Sequence, residues 1–180
     1  VPARGDGVPD DDAADLLEIV AELEPLNPNP EWDLASCLKG EWSLAYTSSK
    51  AFHTNQGLIG YAQQLKGVST PRLLMEVQTQ YRLVTFIEPI QYEQGSMAGF
   101  FGGLAKAEAV SAECSWSKNA AGAFLVTSSR ISAGGRSWDP ADKQAKALRV
   151  LAACTPAYLD DDLLIFRAQI PTVIFVFERA

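Results

Sequence analysis

The sequence predicts a mainly β protein with a few short helices, arranged as an antiparallel barrel or a strongly curved sheet. Seven or more strand-like segments follow one another along the 180 residues, without the alternation of strands and long helices that builds parallel sheets. The last segment, Thr172 to Arg179, is apolar on both faces. It would be prone to aggregate as an open edge, which favours closure of the sheet.

One core is enough for this chain, because 47% of its residues are hydrophobic and a chain of this length buries roughly 70% of its unfolded surface. We expect a flexible acidic arm at residues 1–10 and a single domain at residues 11–180. The formal net charge is −7, and most of the acidic excess precedes Trp32. The remaining body is nearly neutral and has no Lys/Arg cluster, which argues against nucleic acid as a partner.

A capped amphipathic helix is the first predicted element, beginning at Asp11 or Asp12. Its apolar residues recur at helical spacing: Leu16, Val20 and Leu23. A proline two residues later ends the pattern. We expect this helix to cover an open end or flank of the sheet, with partner binding as the alternative.

The first strand is predicted in Leu38–Ser49, where bulky residues alternate with small or polar ones. It opens with the Gly-x-Trp motif of Gly40 and Trp42. Such an opening, combined with an arginine on a strand near the end of the chain, is the arrangement with which small lipid-carrying barrels close their base, the indole lying against the guanidinium.

The middle of the chain predicts a second short helix in His53–Val68, followed by two strands or one bent strand in Leu73–Ile90. Ala107–Ser117 then alternates apolar with polar residues and returns through a Lys-Asn-Ala-Ala-Gly turn, which indicates a hairpin. Asp139 and Pro140 suit the start of a third helix.

The remaining strands are predicted at Tyr158–Arg167 and Thr172–Arg179. Within the first of them, Asp160 and Asp162 flank Asp161 in an acidic run. A strand sends neighbouring side chains to opposite faces, so we expect a structural turn or strand entry whose carboxylates accept backbone N–H bonds or pair with Arg167, rather than a metal site.

A hydrophobic pocket is the central prediction of this pattern. Alternation along the strands allows seven residues to face one interior: Trp42, Leu44, Tyr46, Met75, Tyr81, Trp116 and Phe175. Apolar ligands bind by burial and need no catalytic groups. Which of the seven contact a ligand, and which only complete the core, is left open by the sequence.

The stretch from Gly95 to Lys106 combines four glycines with large apolar side chains: Met97, Phe100, Phe101 and Leu104. It suits a membrane-contacting or portal loop over the mouth of the barrel. A loop folded back to complete the core is an equal alternative.

Several classes of chemistry receive no support from the residues. One histidine, His53, does not suit a His-rich zinc site, and no Gly-x-Ser-x-Gly elbow accompanies it. We therefore expect neither a metal nor a cofactor. The longest apolar run, at residues 170–177, is far shorter than a membrane span, and the widely spaced Cys37, Cys114 and Cys154 favour free thiols.

The sequences of two segments closely resemble those of the plastid lipid-associated protein family, also called PAP or fibrillin: LKGEWSLAYTSS from Leu38 and PAYLDDDLLIFR from Pro156. LLEIVAELEPLNPNP, from Leu16, is similar to the family's lead-in helix and Asn-Pro turn. Leu164 stands where the family pattern has an arginine, so that Arg167 is the one cation of that strand.

The resemblance implies a lipocalin-like barrel, a plastid location, and association with the stroma-facing thylakoid surface or plastoglobules. The expected ligands are lipids, quinones or carotenoid-like molecules, and the expected activity is binding without catalysis. Two alternatives stay open. One is an isomerase, cyclase or chromophore lyase using Tyr46, Glu76 or Arg167. The other is a coat protein with a filled barrel.

Overall fold

The computed structural model describes residues 10–93, 107–139, 146–152, 154–169 and 172–180. Within them the helices are α1 (Asp10–Leu23), α2 (Lys50–Asn55) and α3 (Lys146–Ala152). The strands are β1 (Gly40–Thr47), β2 (Val68–Ser69), β3 (Leu74–Gln78), β4 (Leu83–Pro89), β5 (Gln91–Tyr92), β6 (Ala109–Lys118), β7 (Phe124–Ala133), β8 (Arg136–Trp138), β9 (Thr155–Leu159), β10 (Leu163–Gln169) and β11 (Thr172–Arg179). Short 3-10 helices occupy Glu24–Leu26, Trp32–Leu34, Ser36–Leu38, Ala62–Gln64 and Thr79–Tyr81.

Nine of the strands form one antiparallel sheet in the order β8-β7-β6-β4-β3-β1-β11-β10-β9, and β2 pairs with β5 separately. The predicted mainly β class is confirmed. The closed barrel is not, because no ladder joins β8 to β9 in the described part of the chain. Strand β11 lies inside the sheet between β1 and β10, so its apolar faces are protected without closure.

The sheet has an inner face and an outer face. The inner face, where Trp42 lies, carries one large apolar cluster. On the outer face, Val20 of α1 packs against Ile165 and Ile174. The sequence therefore predicted both the N-terminal helix and its place on a flank of the sheet.

Helix α3 contacts β7 and β10, the strands next to the two ends of the sheet. Its Leu148 and Leu151 are buried in the inner cluster. A backbone hydrogen bond from the Phe124 N–H to the Cys154 carbonyl, 2.9 Å long, ties the start of β7 to the residue before β9. Asp139, the predicted N-cap, lies outside any helix, and residues 140–145 lie outside the described part.

The second predicted helix is shorter and lies earlier than the sequence suggests. Its N-cap is Ser49, whose Oγ accepts the Phe52 N–H, and it ends at Gln56, which adopts a left-handed conformation with φ 54°. Leu58 and Tyr61, which fall within the range predicted for this helix, are nevertheless buried. They lie between the end of α2 and the 3-10 helix at Ala62–Gln64, not on one face of a helix.

The hairpin of β6 and β7 is confirmed, with the Asn119 side chain accepting the N–H groups of Ala121 and Ala123 in its turn. The segment predicted as one strand from Tyr158 is divided into β9 and β10. The turn between them is the acidic run at residues 160–162.

Candidate functional site

Five of the seven predicted pocket residues meet on the inner face: Trp42, Leu44, Met75, Trp116 and Phe175. All five are buried, and Trp42, Met75 and Phe175 have no exposed surface. The register explains this, because Trp42 pairs with Met75 across β1 and β3. Their contact with a ligand remains a prediction.

The prediction for Tyr46 is wrong, because the side chain lies on the opposite face. A β-bulge at Ala45 shifts the register, so that Leu44 pairs with inward-facing Phe177 whereas Tyr46 pairs with Val176. Val176 belongs to the outer face. Partial burial there raises the pKa of the Tyr46 hydroxyl, and Thr47 takes the inward position.

The prediction for Tyr81 is also wrong, since its side chain is 65% exposed. Residues 79–81 form a 3-10 turn that ends at Arg82 with φ 51°. Because of this turn, odd-numbered residues face the interior in β3, whereas even-numbered residues face it in β4. Val84 and Phe86 are therefore buried, and Leu83 is exposed.

One end of the inner face, called the base here, is closed by Trp42 and Arg179. The guanidinium carbon of Arg179 lies 3.8 Å from the centre of the Trp42 ring. Its N–H groups donate to the carbonyls of Cys37, Lys39 and Asp161, and the indole donates to the Leu38 carbonyl at 3.0 Å. The predicted indole–guanidinium contact exists, and its cation is the arginine of the last strand.

Gly40 is required by this closure. Its φ is +126°, and a Cβ at this position would lie 2.8 Å from the Arg179 Nη1 atom. A side chain would be strained by the backbone and would also push the guanidinium away from Trp42. Gly40 therefore has a structural role at the base, which depends on its lack of a side chain.

A second tryptophan, Trp32, completes the base, and the sequence interpretation missed it. Its ring lies 5.8 Å from Trp116 and 5.7 Å from Phe124, and its indole donates to the Gly122 carbonyl. Lys118 lies 5.8 Å above the same ring and bonds Glu31 and Asp33. The acidic residues on both sides of Trp32 are the only sequence signal of this contact.

Asp160 has the structural role that was predicted for the acidic run. Burial works against its ionisation, but the N–H groups of Asp162 and Leu163 and the Tyr158 hydroxyl bond the carboxylate and lower its pKa. Asp162 is exposed and its carbonyl accepts the Arg179 N–H. The described residues contain no group of three His, Cys, Asp or Glu side chains able to hold a metal.

Arg167 lies on the outer face and pairs with Glu24 at 2.7 Å. It does not pair with the acidic run, so that part of the prediction is wrong. The reason is the register: Arg167 pairs with Ile174 of β11 and shares its outer face. Glu24, which directly follows α1, supplies the carboxylate of this ion pair.

Glu88 is a fully buried carboxylate that the sequence interpretation did not single out. It lies near the end of β4 on the inner face and accepts the N–H of Leu58. Gly57 permits this close approach, because a Cβ there would overlap the carboxylate. Glu88 thus fastens the segment after α2 to the sheet, at the end opposite the base.

Among the described residues, three cavities open around these elements. One of about 650 Å³ lies between α2 and residues 62–70. A second of about 540 Å³ contains Arg167, and a third of about 330 Å³ lies between α2, α3 and β11. None of the seven predicted pocket residues lines any of these three cavities.

The predicted portal residues Met97, Phe100, Phe101 and Leu104 lie outside the described residues. The three cysteines carry free thiols. Burial raises the pKa of Cys114 to about 11 and that of Cys154 to about 12. In the described part of the chain, no helix is long and apolar enough to cross a membrane.

Comparison with known families gives one match, in which the PAP_fibrillin family model covers residues 2–95, just over half of the chain. The match includes α1, the base motif of Gly40 and Trp42, and strands β1 to β5. No curated protein and no solved structure matches the chain.

Proposed function

Because the chain belongs to the PAP/fibrillin family of plastid lipid-associated proteins, we propose that it binds a hydrophobic small molecule on the inner face of its sheet. Lipids, quinones and carotenoid-like molecules are the ligand class. The proposed place of action is a thylakoid or plastoglobule surface. No catalytic step belongs to the proposal.

The observation that carries this proposal is the way the sheet is left open. The inner face carries one large apolar cluster, and helix α3 packs against β7 and β10, the strands next to the sheet's two ends. A strand ladder opens only by breaking consecutive hydrogen bonds, whereas a short helix held by side-chain packing separates at a lower free energy. The fold thus offers a route to an apolar interior.

The two ends of the inner face differ in a way that suits a binding protein. The base is closed by Trp32, Trp42 and the guanidinium of Arg179. At the other end the chain forms short helices and turns, including α2. An apolar ligand entering there gains roughly 25 cal/mol for each Å² of apolar surface removed from water.

The enzyme alternative is not favoured by the positions of its candidate residues. Tyr46 and Arg167 lie on the outer face, as does Glu76, which pairs with Thr85 beside the inward pair of Met75 and Phe86. These three side chains therefore do not converge on the apolar interior. Glu88 does face the interior, but its hydrogen bond to Leu58 gives it a structural role.

A fluorescence titration tests the proposal. An alkyl-tailed benzoquinone, added to the purified protein, is expected to quench indole emission to saturation at a stoichiometric ratio, because Trp42 and Trp116 both lie on the inner face. Ala133→Leu enlarges a buried inner side chain and should weaken binding, whereas Ala121→Leu in the exposed hairpin turn should not.

The contrary result is an absence of saturable quenching in folded protein. It would favour the coat alternative, in which side chains alone fill the inner face.

Residues 95–106 remain a proposed portal. If these residues form the portal, replacing Phe100 and Phe101 with serine should leave the melting temperature within a few degrees, because side chains outside the core contribute little to stability, and should slow the uptake of a fluorescent lipid from vesicles. A large loss of stability with unchanged uptake would show that these phenylalanines belong to the core.

A further inference from the structure

A small groove on the surface near α3 has the properties of a second binding site, separate from the inner face of the sheet. Its volume is about 330 Å³, at the lower end of the range for small-molecule sites. It lies between the end of β1, the start of α2, helix α3 and the start of β11, with these residues in its wall: Ser48, Ser49, Lys50, Ala51, Val150, Thr172 and Val173.

The wall is apolar although three of its residues carry hydroxyl groups. The Ser48 Oγ accepts the Ile174 N–H at 3.0 Å, and the Ser49 Oγ accepts the Phe52 N–H at 3.2 Å. These bonds hold both oxygens against the backbone. The groove's surface is therefore mostly apolar, and Ala51, Val150 and Val173 contribute methyl groups to it.

The single charged residue in this wall is Lys50. Its side chain is exposed, and none of the hydrogen bonds and ion pairs found among the described residues involves its ammonium group. This cation is notable because the whole chain has a formal net charge of −7. The groove therefore combines a mostly apolar wall with one exposed cation, which is complementary to an alkyl chain ending in an anion.

We propose that this groove binds a single-chain carboxylate amphiphile, a fatty acid, with its chain between α2, α3 and β11 and its carboxylate at Lys50. The groove is too small for a two-chain lipid or a carotenoid-like molecule. It is distinct from the inner-face site, so that either site can exist without the other.

Calorimetric titration with octanoate, decanoate and dodecanoate tests the alkyl part. Each buried methylene contributes about 0.8 kcal/mol, or roughly a four-fold decrease in Kd. We expect this gain with each methylene until the chain fills the groove, and a plateau beyond that length. Val150→Phe, which fills the groove from α3, should weaken binding of every chain at least about ten-fold, since it removes two or more methylene contacts.

The ionic part has its own variant. Lys50→Gln should raise the Kd of dodecanoate about two- to five-fold, the range for one exposed ion pair, and leave that of dodecanol unchanged. Lys39→Gln is the matched control, because Lys39 is also exposed and lies on the base side. It should alter neither Kd.

Three outcomes would overturn the proposal: wild-type protein that binds no fatty acid, Val150→Phe that binds as tightly as wild type, or Lys50→Gln that weakens acid and alcohol equally. Ala121→Phe controls for an added phenylalanine outside the groove. If Val150→Phe fails to fold, Ala51→Phe fills the same space from α2. If Val150→Phe still binds fatty acid, and the quinone still quenches its indole emission, the fatty acid binds on the inner face. The groove proposal would then be wrong, and the proposed function would stand.

Discussion

Replacing Trp42 with alanine is expected to lower the free energy of unfolding by about 4–6 kcal/mol. The side chain has no exposed surface, and large-to-small changes of this kind cost about 3–5 kcal/mol through lost burial and the cavity left behind. The contact with Arg179 at 3.8 Å adds about 1 kcal/mol. Since whole domains are stable by about 5–15 kcal/mol, the variant should lose much of its stability.

Urea unfolding followed by circular dichroism measures this loss. We expect a lower midpoint with an unchanged slope, and a melting temperature about 10–20 °C below that of the wild type. Trp138→Ala is the matched control. Trp138 is only half-buried in β8, where it stacks on Tyr61 at 6.2 Å, so its removal should cost about 1–2 kcal/mol.

A different result would refute the reasoning about the base. If Trp42→Ala unfolded at the same urea concentration as the wild type but no longer bound the quinone, Trp42 would line a ligand pocket. The indole–guanidinium contact would then have little structural importance.

Three further predictions concern the base, the thiols and the acidic turn. Gly40→Ala should cost about 1–3 kcal/mol, measured by urea unfolding, because the backbone is strained for alanine and the added Cβ displaces the guanidinium over the indole. Denatured, unreduced protein should titrate with three thiols, and in the native protein Cys37 should react first, since Cys114 and Cys154 are buried with raised pKa values. Asp160 has a lowered pKa in the folded state. Its contribution to stability should therefore be present above its unfolded pKa of about 3.9 and disappear as the pH falls through the folded pKa, so that wild type and Asp160→Ala converge in acid.

Each of these predictions has a defined contrary result. Gly135 also has a positive φ, but a Cβ added there meets nothing within 4 Å, so Gly135→Ala should cost less than Gly40→Ala. Equal costs would mean that backbone strain alone matters at Gly40. A count of one thiol would reveal a disulfide. A stability difference between wild type and Asp160→Ala that stays constant from neutral pH to pH 3 would show that ionisation of this carboxylate is irrelevant.

The sequence contained enough information for the motif at the base and for the hairpin, because both depend on local spacing. Gly40 and Trp42 occur two residues apart on one strand, and Arg179 lies on the strand that pairs with it. Period-two alternation from Val110 to Trp116 continues without interruption in the structure. Local patterns of this kind change little when the chain folds.

Alternation along the strands predicted the wrong face for residues that follow an irregularity in the backbone. The bulge at Ala45 and the turn ending at Arg82 each shift the alternation by one residue. Tyr46 and Tyr81 consequently leave the inner face, and Glu88 joins it. A bulge depends on the pairing partner as well as on the strand itself, so the sequence of one strand does not reveal it.

Whether the sheet closes into a barrel could not be predicted from the sequence, for a different reason. The apolar β11 indicated that this strand needs two neighbours, and it has them in β1 and β10. Which strands form the sheet's ends is decided by long-range pairing. The base residue Trp32 was missed for the same reason, because it belongs to no periodic segment and contacts residues about 90 positions away.

Mass spectrometry of the organic extract from natively purified protein is the most direct test of the central claim. We predict a hydrophobic small molecule in a near-stoichiometric amount. An extract without any such molecule, from folded protein that also fails to take up the tailed quinone, would contradict the claim that this protein binds an apolar ligand on the inner face of its sheet.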